Sequence, residues 1–248
     1  MNESLTMKIS IIIPVYNEAV TIGPLIHHLI EFGQESIADI IVVDGGSTDN
    51  TYEIATALGV TTLRSVRPGR ALQMNDGAAI ARGQVLYFVH ADTLPPTTFV
   101  HDISKSIRNG FEFGRFRSKF DSHKLLLKLN AFFTRFDLFM CYGGDQSLFM
   151  TKKLFGSIQG FDASMLIMED YAIVQKAKQE ASYKIIPGYV LISARKYETN
   201  SWWKVQKANY RIVNMFKQGS SQEDMIRIYR NMLSYRKIDK PRYLISRK

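Results

Sequence analysis

The sequence predicts an α/β fold in which a mostly parallel, doubly wound sheet is flanked by helices and followed by amphipathic C-terminal helices. Over about the first hundred residues, short apolar runs rich in Ile and Val alternate with stretches of helical periodicity, as in βαβ units. Later in the chain, longer amphipathic stretches predominate. The chain has 248 residues, 46% of them hydrophobic, which is enough for one large domain with a sizeable core.

The elements of the first half follow from these patterns in chain order. Continuous apolar runs indicate buried strands, whereas apolar residues at helical spacing, bounded by cap-type residues or Gly, indicate helices. Strands are predicted at 9-ISIIIPV-15, 39-DIIVVD-44, 60-VTTLR-64 and 84-QVLYFV-89, and helices at about 20–32, directly after 47–49 and at about 70–82.

The second half is predicted to hold longer helices. The stretch 122–140 carries Leu and Phe at helical spacing and predicts one continuous helix. Further helices are expected at about 97–108, within 152–180, and at about 199–216 and 222–233; strands are expected at 111–120, at the end of the Gly-rich segment 143-GGDQSLFM-150, and within 183–193.

The charge balance favours an anionic partner without choosing among a nucleotide, a nucleic acid and an acidic membrane surface. The formal net charge is +9 at pH 7. Nucleic acid is the weakest choice, because the basic residues are scattered and form no aromatic–basic recognition motif. With one cysteine, no leader pattern and no apolar run near ~18 residues, we expect a cytoplasmic protein, either soluble or peripheral at the inner face of the membrane.

Polar side chains follow four predicted strands, at the edge where ligands bind in open α/β sheets. Their carboxylates suit ribose hydroxyls or a hard divalent cation, and their guanidiniums, near a helix start, suit phosphate. Taken singly, each has a structural alternative as a helix-terminal acid, a turn residue or a surface charge. Their coincidence at four strand ends favours a binding site. The residues are Tyr16, Asn17, Glu18, Asp44, Arg67, Arg70, His90 and Asp92.

Three motifs resemble those of family-two glycosyltransferases, which have the Rossmann-like GT-A fold. The motifs are 10-SIIIPVYNE-18, 41-IVVDGGSTDNT-51 and 84-QVLYFVHADT-93, and 69-GRALQMNDGAAIARG-83 resembles the segment that joins the last two in this family. Further on, 144-GDQSLFM-150 and 168-MED-170 are similar to acceptor-side motifs of a bacterial single-domain subgroup with HADT and GDQ motifs. The resemblance covers about residues 8–195.

This resemblance implies an inverting, metal-assisted transfer of one sugar from a nucleotide-diphosphate sugar, with a UDP-sugar as first choice, to an unknown acceptor hydroxyl. Asp170 is the first choice for the general base and Glu169 the second, and Asp92 would bind the divalent metal, Mn²⁺ or Mg²⁺. The implied nucleotide-sugar residues are Pro14, Tyr16, Glu18, Asp44, Arg67, Arg70, Asn75 and His90, and the acceptor-side residues are Gly144, Asp145, Gln146 and Arg195.

Three departures from the family pattern bear on this expectation. Gly45 replaces a carboxylate of the second motif, and His90 replaces the first acid of the DxD motif. Mn²⁺ tolerates imidazole better than Mg²⁺, so the choice of metal stays open. The chain also lacks a QxxRW-like motif, which favours the transfer of a single sugar over processive synthesis.

One catalytic domain is expected over residues 1–235, followed by a basic tail at 236–248. It would comprise a nucleotide-sugar half at about 8–96, an acceptor half at about 97–195 and a helical part at about 199–235. The 125–140 helix has two possible roles. It packs between the sheet and the terminal helices, or, with Lys124, Lys128 and Arg135 beside it, it lies on a membrane or receives a lipid-linked acceptor.

Other functions that share a parallel sheet require sequence motifs of their own. An oxidoreductase would need G-x-G-x-x-G, and a nucleotidyltransferase would need a Gly-rich loop with Lys or Arg after the first strand; neither is present. A non-catalytic protein that binds a sugar nucleotide or a lipid phosphate stays open as the alternative. It would keep Asp44 and Arg70 without needing Glu169 and Asp170.

Overall fold

The computed structural model describes residues 7–66, 69–143 and 147–234. Arg67, Gly144, Asp145, Gln146 and the basic tail at 236–248 lie outside the described residues. The strands are β1 Ile9–Val15, β2 Ile37–Asp44, β3 Thr61–Arg64, β4 Val85–Phe88, β5 Thr93–Leu94, β6 Phe113–Phe120, β7 Leu148–Thr151 and β8 Tyr183–Ile192. The α-helices are α1 Ile22–Gly33, α2 Thr51–Ala57, α3 Arg70–Ile80, α4 Phe99–Arg108, α5 Leu125–Phe133, α6 Lys152–Ser157, α7 Glu169–Ala177, α8 Lys196–Thr199, α9 Trp202–Lys217 and α10 Gln222–Met232.

These strands form one sheet in the order β3-β2-β1-β4-β7-β6-β8-β5. β1 pairs in parallel with β2 and β4, β2 with β3, and β6 with β8, whereas β7 runs antiparallel to its neighbours β4 and β6. Every residue of β1 is buried, which is why this strand appears in the sequence as an unbroken apolar run. The expected fold, a mostly parallel sheet flanked by helices, is confirmed.

Helices cover both faces of the sheet and so create two apolar layers. Ile11 and Ile13 pack in one layer with residues of α1 and α4, and Ile12 faces the other layer with residues of α3. α3 lies close to the sheet because Gly77 has no side chain: a Cβ there would lie 2.6 Å from Cγ2 of Ile12. This close packing fixes the N-terminus of α3, and with it Arg70, at the edge where β1 and β2 end.

The predicted helix over 122–140 is wrong in its length, because α5 ends at Phe133. The buried guanidinium of Arg115, on β6, donates hydrogen bonds to the carbonyl oxygens of Thr134 (2.7 Å) and Phe136 (3.1 Å). A side chain therefore satisfies carbonyl groups that a continuing helix would use internally. The other helices predicted with bounds begin and end within about three residues of their observed bounds. Residues 152–180 hold two helices, α6 and α7, rather than one, and 183–193 holds one strand rather than several.

After α5, an Asp137 carboxylate links this turn to the C-terminal end of α7. It accepts hydrogen bonds from the Lys178 ammonium and from the Tyr142 hydroxyl (2.7 Å). Partial burial acts to raise the pKa of Asp137, but the hydrogen bonds from Lys178 and Tyr142 outweigh it and hold that pKa below its usual value. The charged form of Asp137 is thus favoured by folding.

We predict that Asp137→Asn lowers the free energy of unfolding at neutral pH by an amount that disappears in acid. A carboxylate whose pKa falls on folding stabilises the protein above its unfolded pKa of ~3.9, and this contribution is lost as the pH falls through the folded pKa. Denaturant unfolding of both proteins between pH 7 and pH 3 measures the difference. Lys178→Met should remove the same pH-dependent component, and a difference that stays constant with pH would contradict the assignment.

Among the described residues, no helix is long and apolar enough to cross a membrane.

Candidate functional site

The carboxyl ends of β1, β2 and β4 meet at one edge of the sheet. In the parallel register, Val15 stands beside Asp44. The side-chain amide of Gln73, on α3, donates to the carbonyl oxygens of Val15 (2.9 Å) and Val43 (2.7 Å) and so joins both strand ends to the helix. Gln73 could not be singled out from the sequence, because its hydrogen-bond partners are backbone atoms of strands that lie far away in the chain. The loops after these strands therefore stand on a rigid base.

The loops after β1 and β2 are cross-linked around Asp44, which is buried. The carboxylate of Asp44 accepts from the backbone N–H (3.1 Å) and the hydroxyl group of Ser47. The hydroxyl oxygen of Ser47 in turn accepts from the backbone N–H of Asn17 (2.9 Å), and the Asn17 amide oxygen accepts from the N–H of Thr48 (2.8 Å). Asp44 thus stabilises the turn that follows it, which is the structural role considered for it above, and it lies at the place expected for a ribose contact. Pro14 is buried near the end of β1, the neighbouring strand.

Three charged side chains from distant parts of the chain meet beside this corner. Arg195 donates from Nη1 to Oε2 of Glu18 at 2.9 Å, and its Nη2 lies 3.1 Å from Oδ2 of Asp92. Glu18 also accepts from the hydroxyl of Thr21 (3.0 Å). The side chains of Glu18 and Asp92 are 15% and 24% exposed, so this charge-assisted cluster is mostly removed from water.

A short strand pairing explains why Arg195 reaches Asp92. β4 ends at Phe88, and the chain then turns, with the N–H of Thr93 donating to the carbonyl oxygen of His90 at 3.0 Å. β5 follows at once and pairs antiparallel with the end of β8, and the N–H of Ser193 donates to the carbonyl oxygen of Asp92 at 3.2 Å. His90 is buried within this turn, while Asp92 faces the crevice.

The second acidic pair lies at the first turn of α7. Glu169 and Asp170 are buried, and Nη1 of Arg70 lies 3.0 Å from Oε1 of Glu169 and 3.8 Å from Oδ2 of Asp170. The N-terminus of a helix favours negative charge, and Met168 before it has a left-handed backbone (φ 69°) that directs the chain into the helix. The side chain of Arg70 is half exposed.

Both charged clusters contribute to the lining of one cavity of about 1380 Å³, although Glu18 itself is not among the lining residues. The charged and polar lining residues include Tyr16, Arg70, Asp92, Glu169, Asp170 and Arg195. α5, α9 and α10 also line the cavity and contribute both apolar and polar side chains, among them Leu129, Phe133, Trp202, Ile212, Val213 and Ile226 and also Asn130, Gln206, Asn209 and Arg230. The cavity therefore brings charged side chains and an apolar-rich wall together.

Not every expected site residue reaches this cavity. Asn75 donates its amide N–H to the carbonyl oxygen of Phe161 (2.8 Å), and its amide oxygen accepts from the Phe161 N–H (3.0 Å), so the structure uses it to hold a loop. Arg67, Gly144, Asp145 and Gln146 cannot be placed, because they lie outside the described residues. The sequence did not single out the wall residues Tyr171 and Tyr197; aromatic residues at helical spacing look the same in a core and in a cavity wall.

The charged corner fits a divalent cation whose coordination is completed by a ligand. Asp92 and Glu18 supply carboxylate oxygens, the hard donors that a divalent cation prefers, and the single Arg195 guanidinium between them balances only one of the two carboxylates. No group of three or more His, Cys, Asp or Glu side chains that could hold a metal alone occurs in the part of the chain that the structure describes. Such a cation would therefore take its remaining ligands from a diphosphate or from water.

The sequence matches the profile of Glycosyl transferase family 2 over residues 10–156. A glucosyl-3-phosphoglycerate synthase of Mycolicibacterium paratuberculosis is 30% identical over 96 residues, which are 36% of this chain and 29% of that protein. The chain matches about a third of the length of the first curated relatives found.

Solved structures share the fold over most of the chain. Glucosyl-3-phosphoglycerate synthase from Mycobacterium tuberculosis, in complex with Mn²⁺, UDP-glucose and glycerol 3-phosphate, is 17% identical and has a TM-score of 0.63, covering 86% of this chain and 81% of its own. The mannosyltransferase PcManGT from Pyrobaculum calidifontis, in complex with GDP-mannose and Mn²⁺, is 14% identical and has a TM-score of 0.68, covering 92% and 70%. The profile match spans more than half of the chain, and the chain belongs to glycosyl transferase family 2.

Proposed function

We propose that this protein is an inverting glycosyltransferase that moves one sugar from a nucleotide-diphosphate sugar to an acceptor hydroxyl with the help of a divalent metal. The observation that carries the proposal is that two charged clusters, Glu18–Asp92–Arg195 and Arg70–Glu169–Asp170, contribute side chains to the lining of a single cavity. One cluster suits the donor diphosphate and the other suits proton transfer from the acceptor. The family membership and the UDP-glucose and GDP-mannose complexes of proteins with the same fold support it.

The donor would lie along the strand ends. Tyr16 exposes 59% of its surface at the crevice and offers a ring on which a base can stack. Asp44, Pro14 and Glu18 complete the proposed nucleoside side, with a UDP-sugar as the first choice. Arg70 and Arg195 are cations that line the cavity and suit the diphosphate, whose charge grows as the sugar leaves.

Asp92 would hold Mn²⁺ or Mg²⁺, and the bound cation supplies positive charge that stabilises the leaving nucleoside diphosphate. His90, buried in the turn before it, is placed to shape that turn and stands as a proposed neighbour of the donor site. Arg195 contacts both carboxylates of this corner, so its guanidinium would hold them in position and remain beside the diphosphate.

The two acids of α7 would divide their roles. Glu169 makes the shorter contact with Arg70 (3.0 Å) and would hold that guanidinium toward the donor. Asp170, at 3.8 Å from the same nitrogen, would accept the proton of the acceptor hydroxyl as it attacks the sugar from the side opposite the leaving group. Gly144, Asp145 and Gln146 remain proposed acceptor-side residues on sequence grounds alone.

We predict that Asp170→Asn lowers kcat by at least about 10²-fold while donor binding is retained, because general base catalysis contributes ~10²–10⁴-fold. Release of nucleoside diphosphate from a panel of UDP-, GDP- and dTDP-sugars, with Mn²⁺ and a cell extract as acceptor source, measures it. Asp102→Asn is the matched control, since Asp102 is also a first-turn helix acid but does not line the cavity.

Two outcomes would contradict this assignment. Full activity of Asp170→Asn would show that Asp170 is not the general base. Tight donor binding by the wild type, with no nucleoside diphosphate released from any donor, would favour the non-catalytic sugar-nucleotide binding protein.

We further predict that Asp92→Asn abolishes the part of the UDP-induced rise in Tm that depends on Mn²⁺. A ligand that binds only the folded state raises its stability, and the metal adds to this effect only if the protein helps to bind it. Thermal unfolding with UDP, with and without Mn²⁺ or Mg²⁺, gives the comparison, and Asp102→Asn should behave as the wild type.

The variant His90→Asp tests the unusual HAD motif in the same assay. A second acid beside Asp92 is expected to increase the stabilisation by Mg²⁺ relative to Mn²⁺, because carboxylate suits Mg²⁺ better than imidazole does. Behaviour identical to that of the wild type would leave His90 a structural residue of its turn.

A further inference from the structure

The segment from α5 to the turn after it exposes an unusual concentration of apolar side chains. Seventeen large hydrophobic side chains are exposed in the described part of the chain, and eight of them lie in this stretch. We call these eight the apolar patch: Leu125, Leu126, Leu129, Phe132, Phe133, Phe136, Leu138 and Met140. A soluble monomer rarely leaves so contiguous an apolar surface in water unless something binds there.

The pattern of α5 itself is not that of an ordinary surface helix. Only Leu127 and Ala131 of this helix are buried, and they form the stripe that faces the protein. On the rest of its surface, where a surface helix normally carries polar residues, α5 exposes five of the eight patch residues. Leu125 is 78% exposed, so the outward face is open rather than shielded by neighbouring loops.

Basic residues outnumber acidic ones in the stretch that carries the apolar patch. Residues 122–140 contain Lys124, Lys128 and Arg135 and one acidic residue, Asp137, whose carboxylate is paired with Lys178. One further acid, Glu198, lines a small pocket together with Lys124 and Leu125. α9, which begins beside α5, contains four basic residues and no acidic one. Apolar side chains with basic ones at their border are the composition of a helix that lies in the interface of an anionic bilayer.

Aromatic residues extend this surface at the start of α9. The indole N–H of Trp202 donates to the side-chain oxygen of Asn130 (3.2 Å), which brings α9 against α5. The next residue, Trp203, is 72% exposed. Tryptophan favours the boundary between lipid and water because its ring is apolar and its N–H is polar.

The apolar patch also continues into the cavity. Leu129, Phe133, Leu138 and Met140 belong both to the patch and to the cavity wall. The surface that would meet a bilayer is therefore continuous with the wall of the cavity that Asp92, Glu169 and Asp170 also line.

From these observations we infer that the apolar patch docks the protein on a membrane surface that contains anionic lipid. A second copy of the chain suits this face poorly, because a two-fold contact would bring together two surfaces that both carry an excess of basic residues. The inference stands apart from the proposed function, since docking requires no catalysis.

Sedimentation of the full chain with vesicles tests the inference. Wild-type protein should bind vesicles of phosphatidylcholine that contain about 30% phosphatidylglycerol, an anionic lipid. It should bind vesicles of phosphatidylcholine alone much more weakly. Raising the salt concentration should weaken binding, since salt screens exposed charges. Absence of binding to the anionic vesicles would overturn the inference.

Paired variants separate the patch from general surface effects. Leu125→Gln with Phe132→Gln should lower vesicle partitioning on the order of tenfold or more, whereas Ile30→Gln with Ile80→Gln should not, although Ile30 and Ile80 are exposed to a similar degree as Phe132. Lys128→Glu with Arg135→Glu should weaken binding, and the equal charge change Lys153→Glu with Arg108→Glu should weaken it far less. Equal losses in both members of a pair would contradict docking through the patch.

Tryptophan fluorescence locates the contact. The chain has two tryptophans, Trp202 and Trp203, both at the start of α9, so brominated lipids should quench them in bound wild type. Binding without quenching would mean that another surface docks, and a dimer that Leu125→Gln with Phe132→Gln converts to monomer would mean that a second copy covers the patch; either result overturns the inference. Asp170→Asn should bind vesicles as the wild type does, so loss of activity and loss of docking remain distinguishable.

Discussion

The contact between Arg195 and the two carboxylates of Glu18 and Asp92 is the interaction on which the arrangement of the candidate site depends. It joins residues 177 positions apart in the chain, one directly after β1 and the other after β8. Two carboxylates so close together, and mostly shielded from water, would repel each other without a cation between them. The Arg195 guanidinium supplies that cation and ties the C-terminal part of the chain to the strand ends of the N-terminal part.

The location of the site could be predicted from the sequence because it depends on local pattern. Apolar runs predict strands, and a polar residue directly after such a run in a parallel sheet must lie at the common edge. Glu18, Asp44 and Asp92 are placed there by this argument alone. The roles of Arg195 and Arg70 are harder to predict, because their partners lie on elements that only the tertiary fold brings together.

The predictions that miss the structure have similar causes. The predicted helix over 122–140 is too long because its apolar spacing continues past Phe133, whereas in the structure hydrogen bonds from the distant Arg115 accompany the end of α5. β5, only two residues long, carries too little pattern to be predicted, although it positions Asp92. The expected donor-site role of Asn75 stays a prediction, although its amide hydrogen-bonds to the backbone of Phe161. In each case a long-range contact decides what the local sequence leaves open.

The cavity combines charged and apolar side chains that come from different elements of the fold. The strand ends and α7 provide charge, and α5, α9 and α10 provide apolar side chains, of which those of α5 also belong to the exposed patch. A soluble donor and an acceptor delivered from a different environment could meet in such a chamber without competing for the same surface. The proposed donor site and the proposed membrane face are therefore compatible parts of one molecule.

The most direct test of the central claim is a crystal structure of the protein with UDP and Mn²⁺, with the metal located by its anomalous scattering. We expect an anomalous peak in contact with the Asp92 carboxylate and with the diphosphate, and the guanidiniums of Arg70 and Arg195 beside the same diphosphate. A metal bound elsewhere, or a nucleotide outside the edge formed by β1, β2 and β4, would contradict it.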